Sequence, residues 1–427
     1  MTAATTPDPA RRAALHLLTA ALGKRRGMET ALEDAALQRL SAQDRAFARA
    51  LAMTTLRRLG PIDRALTERL TRTPPDAALM ILRLGAAQLF FLDVPAYAAV
   101  DSSVALAGLS LQTRPFKGLV NAVLRRLMRE GLGEASPADL APPWLFARWR
   151  AAYGEADALA IAATIAAEPS TDITPRDPID AEALAGLLGA QRLDGGSIRR
   201  EARGRVEEWP GFAEGRWWVQ DAAAAIPARI LGAKPDEPVL DVCAAPGGKA
   251  LQLAAAGAVV TALDRSADRL RRLGENLART GLAAEAIAAD AETWNDERLF
   301  PAVLLDAPCS STGTFRRNPD VLWSLRPSDI VALAGVQARL LDAAAERVKP
   351  GGRLVYCVCS LEPEEGEAQA RAFLARRPDF ALSPIALGEG GAPPQSLAPE
   401  GWLRILPHHL EGGLDGFFIA RFTRQAS

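Results

Sequence analysis

The chain has 427 residues, 49% hydrophobic and 24% charged, which excludes a disordered chain and is too long for a single core. Its net charge of −1 hides an asymmetry: residues 1–140 carry 19 Lys/Arg against 13 Asp/Glu, a net of +6, which leaves −7 for the rest. No apolar run approaches the roughly 18–20 residues that span a bilayer. The start, M-T-A-A-T-T-P-D-P, lacks the apolar core of a signal peptide. All four cysteines follow residue 240, which is no disulfide framework and fits a reduced compartment. The expectation is a cytoplasmic monomer with no membrane attachment.

Residues 10–130 read as helices. Apolar residues recur at three- and four-residue spacing, as at Ala46, Ala50, Met53 and Leu56, and Pro61, Pro74, Pro75, Pro95 and Pro115 cut the run into helix-sized pieces. Arg11-Arg12, Lys24-Arg25-Arg26 and Arg125-Arg126 are candidates for a nucleic-acid surface, or simply the outward faces of amphipathic helices. Ala98-Ala99-Val100-Asp101, followed by Phe116-Lys117-Gly118-Leu119-Val120-Asn121-Ala122-Val123-Leu124-Arg125, resembles the NusB family of RNA-binding domains over roughly residues 8–130. The resemblance implies an all-α bundle, residues 1–130, that binds RNA or a protein partner.

Residues 131–143 combine glycine, proline and serine with little periodicity and read as a linker. Residues 144–219 begin with a helical pattern to Ala167, then become mixed and read as a small α+β RNA-binding region. Its basic stretch from Arg199 to Val206, with Trp209, Trp217 and Trp218 behind it, is a candidate clamp for single-stranded RNA, although tryptophan is more often core.

From Gln220 to the end, strand-like runs alternate with alanine-rich helices, the pattern of a Rossmann-like α/β sheet over residues 220–427. Predicted strands are Val239–Val242, Val259–Leu263, Ala286–Ala289, Ala302–Leu305, Arg353–Cys357 and a closing Phe417–Phe422 that runs antiparallel. Cys243-Ala244-Ala245-Pro246-Gly247-Gly248-Lys249 turns the first of these strands into a helix. Its glycines let backbone amides approach a ligand, yet the spacing is neither that of a P-loop nor of a dinucleotide fold. Asp264, Asp290 and Asp306 then end three successive strands. Singly each is a good helix N-cap; together they suit an adenosine ligand without phosphates, and S-adenosylmethionine fits that description.

Cys309, in D-A-P-C-S-S-T-G, and Cys359, in V-Y-C-V-C-S, lie on strand-end loops. Cys309 alone reads as a nucleophile aimed into a cleft. With a methyl donor, two thiols in one cleft suggest methylation at carbon 5 of cytosine: a thiolate adds to carbon 6, and carbon 5 becomes able to attack the methyl group. Together the motifs C-A-A-P-G-G-K, D-A-P-C-S and V-Y-C-V-C-S-L-E-P-E-E-G-E resemble the RNA (cytosine-5) methyltransferase family, the Sun/Nop2 group, over about residues 140–425. With the NusB-like front, the resemblance is to members that methylate small-subunit (16S) ribosomal RNA. It implies Cys359 as nucleophile, Cys309 as the thiol assisting product release, and Asp306 orienting the cytosine. The implied cofactor contacts are Cys243 to Lys249, Asp264, Asp290 and Asp306.

Two departures from the family pattern are Val358 before Cys359, where threonine is usual, and Ser311, where glycine is common. Cys357 is an additional thiol, expected on the other face of its strand and packed in the core. No metal site is expected, since the only histidines are His16, His408 and His409. Arg316 and Arg317 follow the D-A-P-C loop and are candidate RNA-backbone contacts. The other readings are the same chemistry on transfer RNA and a non-catalytic RNA-binding ribosome-assembly factor.

Overall fold

The computed structural model describes residues 8–24, 27–201 and 204–426. Arg25, Arg26 and Arg203, from two of the basic stretches above, lie outside the described residues. The chain forms two compact units. One comprises the residues up to Ala167 together with Arg317–Leu325; the other comprises Glu168–Arg316 and Arg326 to the end.

The first unit is helical. Its main helices are Pro9–Leu22, Ala42–Arg57, Leu59–Thr67, Asp76–Phe91, Ala96–Ala107, Lys117–Glu130 and Pro143–Ala163. Their starts carry the expected caps: Asp8 accepts from the Ala10 amide with Pro9 in the first turn, and Ser41 accepts from the Asp44 amide at 3.0 Å. Leu17, Leu18, Leu51, Leu56, Ile81 and Leu124 are fully buried, each worth about 1.5–3 kcal/mol of transfer free energy. The stripe read through Ala46 and Ala50 is corrected: both are exposed, and helix Ala42–Arg57 buries Ala48, Leu51, Ala52, Thr55 and Leu56. Alanine is small enough to sit on either face, so its spacing carries little phase information.

Residues 131–143 are not a free tether. Arg64 bonds Asp139 at 2.7 Å and Arg69 donates to the Gly131 carbonyl at 3.0 Å, while a short 3-10 turn spans Pro137–Leu140. Helix Pro143–Ala163 belongs with the first unit, and Arg57 donates to the Ala167 carbonyl behind it. The units therefore divide at Ala167 rather than within the glycine-rich stretch. In Arg317–Leu325, Asp320 accepts from the Met28 amide at 3.1 Å and the Trp323 indole donates to the Leu56 carbonyl at 3.1 Å.

The second unit holds two sheets. The smaller is antiparallel, with β1 (Thr171–Pro175), β2 (Gln191–Arg192), β3 (Ile198–Arg200) and β4 (Trp217–Val219) in the order β2-β3-β1-β4. It packs Ile173 and Ile198 on helix Ala181–Leu188. Trp209, Trp217 and Trp218 are 6%, 0% and 3% exposed, which corrects their reading as stacking platforms. The first two pack ring on ring at 6.0 Å, and the Trp218 indole donates to Gln220. Arg199 is likewise not a surface cation. Its guanidinium makes two 2.8 Å bonds to the cross-strand Asp172 and donates to the Glu411 and Gly413 carbonyls.

The larger sheet contains β5 (Pro238–Val242), β6 (Val259–Asp264), β7 (Glu285–Ala288), β8 (Phe300–Asp306), β9 (Val348–Val358), β10 (Phe380–Leu382), β11 (Leu403–Ile405) and β12 (Phe417–Arg424). The order is β10-β12-β9-β8-β5-β6-β7, with β11 also paired to β12. β5 to β9 are parallel and β12 runs antiparallel beside β9. β8 is buried on both faces: Ala302 and Leu304 join one apolar layer, Val303 and Leu305 the other. Helices Ala222–Leu231, Gly248–Ala255 and Ala267–Thr280 cover the first face, and Pro327–Glu346 and Glu367–Arg376 the second. The chain starts this sheet at β5, builds outward through β6 and β7, then returns to the other side of β5 with β8 and β9. Loops therefore diverge between β5 and β8, where open α/β sheets leave a crevice at the carboxyl edge. Among the described residues no helix is long and apolar enough to cross a membrane.

Candidate active site

Side chains from the carboxyl ends of β5, β6, β8 and β9, with the segment after β7, enclose a cavity of ≈ 320 Å³. Cys243, Asp264, Asp290, Asp306, Cys309 and Cys359 all line it. The loop after β5 turns sharply. Cys243 has φ 62° and Gly247 φ 110°, the Ala245–Pro246 peptide is cis, and Gly248 begins a helix. A Cβ on Gly247 would stand 2.4 Å from Leu273 Cδ1, so the backbone lies directly against the next helix. Asp264 shapes this loop as well as facing the cavity: its oxygens accept from the Ala245 and Ser266 amides at 3.1 and 2.9 Å. Asp290 is exposed at the rim and accepts from the Glu292 amide.

Lys249 turns inward. Its ammonium is 2.7 Å from Asp306 Oδ2 and 5.4 Å from the centre of the Phe417 ring. Burial disfavours the charged amine, but the Asp306 carboxylate more than offsets this and holds it protonated above its ordinary range. Beneath it, Asp241 is fully buried and both its oxygens lack a hydrogen-bond partner among the described residues. Burial pushes its carboxyl up to about 8.

The parallel pairing of β8 with β9 brings the two thiol loops together, with Cys309 and Cys359 Sγ 3.5 Å apart. Both are half-buried. A hydrogen bond from Cys309 favours the Cys359 thiolate and moves its pKa below the ordinary thiol value, with Ser311 and the Lys249 cation acting the same way. The same hydrogen bond, with burial, moves Cys309 well above it. The two sulfurs are thus shifted in opposite directions, Cys359 toward the thiolate and Cys309 toward the thiol. Ser311, 3.7 Å from Cys359, has φ 56°, a left-handed conformation that accounts for glycine being common at this position. Cys243 is pushed up to about 12 by burial and nearby carboxylates, which leaves it unreactive.

Cys357 corrects the sequence reading. Residues two apart on a strand share a face, so Cys357 lies on the same side as Cys359. It pairs in register with Asp306, and its Sγ donates to Asp306 Oδ1 at 3.4 Å. Arg316 is a second correction. It is 4% exposed, donates to the Gly412 carbonyl at 2.6 Å and lies 3.8 Å from Asp221, so it braces the site from within. Arg317 is half-buried and belongs to the other unit.

The sequence names Lys249 and Asp306 but not their pairing, and it gives no role to Ser310, Ser360 and Glu365 within their motifs. The repeated Cys-Ser at 309–310 and 359–360 was the available signal. The lining tests the cofactor directly. Asp264 and Asp290 offer acceptors for hydroxyl and amino groups, while Leu263, Ala291, Val336 and Leu340 offer an apolar wall for a ring. That lining fits S-adenosylmethionine. Among the described residues no group of three or more His, Cys, Asp or Glu is placed to hold a metal.

The chain is similar to known proteins along most of its length. The family described as 16S rRNA methyltransferase RsmB/F matches residues 228–423, and the NusB family matches residues 8–129. Ribosomal RNA small subunit methyltransferase B of Salmonella arizonae is 36% identical over 409 residues, covering 91% of this chain and 92% of that protein. The protein of the same name from Xanthomonas campestris is 37% identical over 399 residues, covering 90% and 91%. The crystal structure of PH0851 is 26% identical, with a TM-score of 0.78 over 98% of this chain and 99% of that one. A paired-thiol site on a Rossmann-like sheet, with relatives matched along nine-tenths of its length, places this chain in the RsmB/F family of S-adenosylmethionine-dependent methyltransferases, with a NusB-family domain in front.

Proposed function

We propose that the protein methylates carbon 5 of a cytosine in small-subunit ribosomal RNA through a covalent adduct on Cys359. The observation that carries this reading is the 3.5 Å pair of Cys309 and Cys359 beside Asp306 in the cofactor-sized cavity. The cytosine must leave its stack to be reached from the ring face. Asp306, fixed by Lys249 and Cys357, orients it. The Cys359 thiolate adds to carbon 6, forming an S–C bond and converting the 5,6 double bond into an enamine with electron density on carbon 5. Bound S-adenosylmethionine supplies a methyl group on a positively charged sulfur. Once carbon 5 carries the methyl, a base in the cleft takes its proton, the electron pair restores the 5,6 double bond, and the S–C bond breaks to return the Cys359 thiolate. Cys309, within reach of Cys359, assists this release. Asp264, Asp290 and the loop from Cys243 to Lys249 hold the cofactor, and Arg317 is the remaining candidate for an RNA-backbone contact.

Bisulfite sequencing of ribosomal RNA tests the substrate. A strain lacking the protein should lose one protected small-subunit cytosine, which wild type restores and Cys359→Ala does not. An unchanged map in the deletion strain would overturn the assignment to ribosomal RNA.

A further inference from the structure

One buried carboxylate behind the thiols has no role in the chemistry above. Glu365 is fully buried, yet every bond it accepts comes from the two thiol loops or their support. Its Oε1 accepts from the Ser310 amide at 2.9 Å and from Gln337 Nε2 at 3.0 Å. Its Oε2 accepts from the hydroxyls of Ser310 and Ser360, both at 2.5 Å. Its own carbonyl is held by the Tyr356 hydroxyl at 2.6 Å, and Gln337 also donates to the Pro308 carbonyl. Ser310 and Ser360 are the residues immediately after Cys309 and Cys359, and their hydroxyls are 3.1 Å apart. One carboxylate therefore ties together the two loops at the positions next to both sulfurs.

We propose that Glu365 is a positioning residue that clamps the two thiol loops through Ser310 and Ser360, and so sets the spacing of the sulfurs and the hydrogen bond between them. The geometric part follows from the shared acceptor: neither loop can shift without breaking a charge-assisted bond inside an apolar surround. The electrostatic part follows from proximity. The Glu365 charge is among the groups that raise Cys309. The Lys249 cation is among the groups that lower Cys359, so the two charges act in the same sense on the pair.

The inference rests on the two-thiol reading, but its test needs no RNA. The purified full-length protein is treated with iodoacetamide, and alkylation of Cys309 and Cys359 is quantified by peptide mass spectrometry between pH 6 and 9. Wild type should alkylate mainly at Cys359. Glu365→Gln keeps the shape, removes the charge and, with its oxygen toward the Ser310 N–H, sets an NH2 where the two serine hydroxyls now donate. It should lower the Cys359-to-Cys309 ratio by at least about fivefold. Ser360→Ala removes one strand of the clamp with minimal change in volume and should move the ratio the same way by less. In methyl transfer, Glu365→Gln should lose at least about tenfold in kcat with KM for RNA within about twofold. An unchanged alkylation ratio in both variants overturns the clamp, whatever happens to activity. A wild-type protein with the expected ratio but no methyl transfer to ribosomal RNA would instead overturn the substrate reading and leave the clamp standing.

Discussion

At the scale of single residues, the site separates two chemically identical side chains by their surroundings. Cys309 and Cys359 differ in which partner stabilises the charged form. Cys359 receives a hydrogen bond from Cys309 and the field of Lys249, so its folded pKa is lowered. A lowered thiol pKa means that the thiolate persists to lower pH than in a free cysteine and is lost only as pH falls through the shifted value. The pH–rate profile of Cys359 alkylation should therefore have its midpoint below that of a free thiol. In Cys309→Ala the midpoint should move to higher pH, because the largest stabilising contact is gone. Lys249→Met should move it in the same direction by less. A profile unmoved in Cys309→Ala would contradict the thiol–thiolate pairing. The motifs made most of these residues legible. They could not reveal that Lys249 and Asp306, 57 positions apart, meet at 2.7 Å, because that contact depends on β5 lying beside β8. The misplacement of Cys357 was avoidable, since strand alternation puts it beside Cys359.

At the scale of elements, the thiol loops are built into the sheet by backbone contacts as well as by side chains. The Gly313 amide donates to the Cys359 carbonyl at 3.0 Å, and the Gly416 amide donates to the Gly313 carbonyl at 2.8 Å, just before β12 begins. A Cβ on Gly313 would lie 2.0 Å from the Gly416 carbonyl oxygen, and backbone on both sides cannot yield cheaply. Gly313→Ala should therefore push the D-A-P-C loop away from β9. Displacement of about 1 Å in a reacting group is enough to cost around a hundredfold in rate. Steady-state methyl transfer by this variant should fall by at least tenfold, and its thermal unfolding should move to lower temperature as well. Full activity would mean that the loop spacing is not critical. The strands and helices around the cavity were largely legible from apolar runs and alanine-rich stretches. The short strands Phe380–Leu382 and Leu403–Ile405 were not, because three residues carry no readable period.

At the scale of the whole molecule, buried charge sets the framework that sequence composition misassigned. The basic run near Arg199 and the arginine after the D-A-P-C loop looked like RNA contacts, because arginine usually is exposed. In the fold, Arg199 pairs with Asp172 across β1 and β3 and fixes the Glu411–Gly413 loop, and Arg316 holds the neighbouring Gly412 carbonyl. The small sheet and the edge of the catalytic sheet are joined by these bonds. Arg199→Met would leave the Asp172 carboxylate buried without its cation, a change that typically costs about 3–5 kcal/mol. Urea unfolding of the second unit should register a loss of that size, and adding Asp172→Asn should recover part of it. A loss under about 1 kcal/mol would mean that solvent already reaches the pair. The three tryptophans were misread for a related reason: local sequence gives residue type, while burial depends on which segments return to cover them.

The central claim is that Cys359, rather than Cys309, bonds to the target base. Small-subunit ribosomal RNA carrying 5-fluorocytosine removes the proton whose loss permits release, so the adduct accumulates on whichever sulfur attacked. Peptide mass spectrometry of the trapped complex, formed by the full-length protein with S-adenosylmethionine, should place the nucleotide on Cys359 and leave Cys309 unmodified. A nucleotide found on Cys309 would contradict the account.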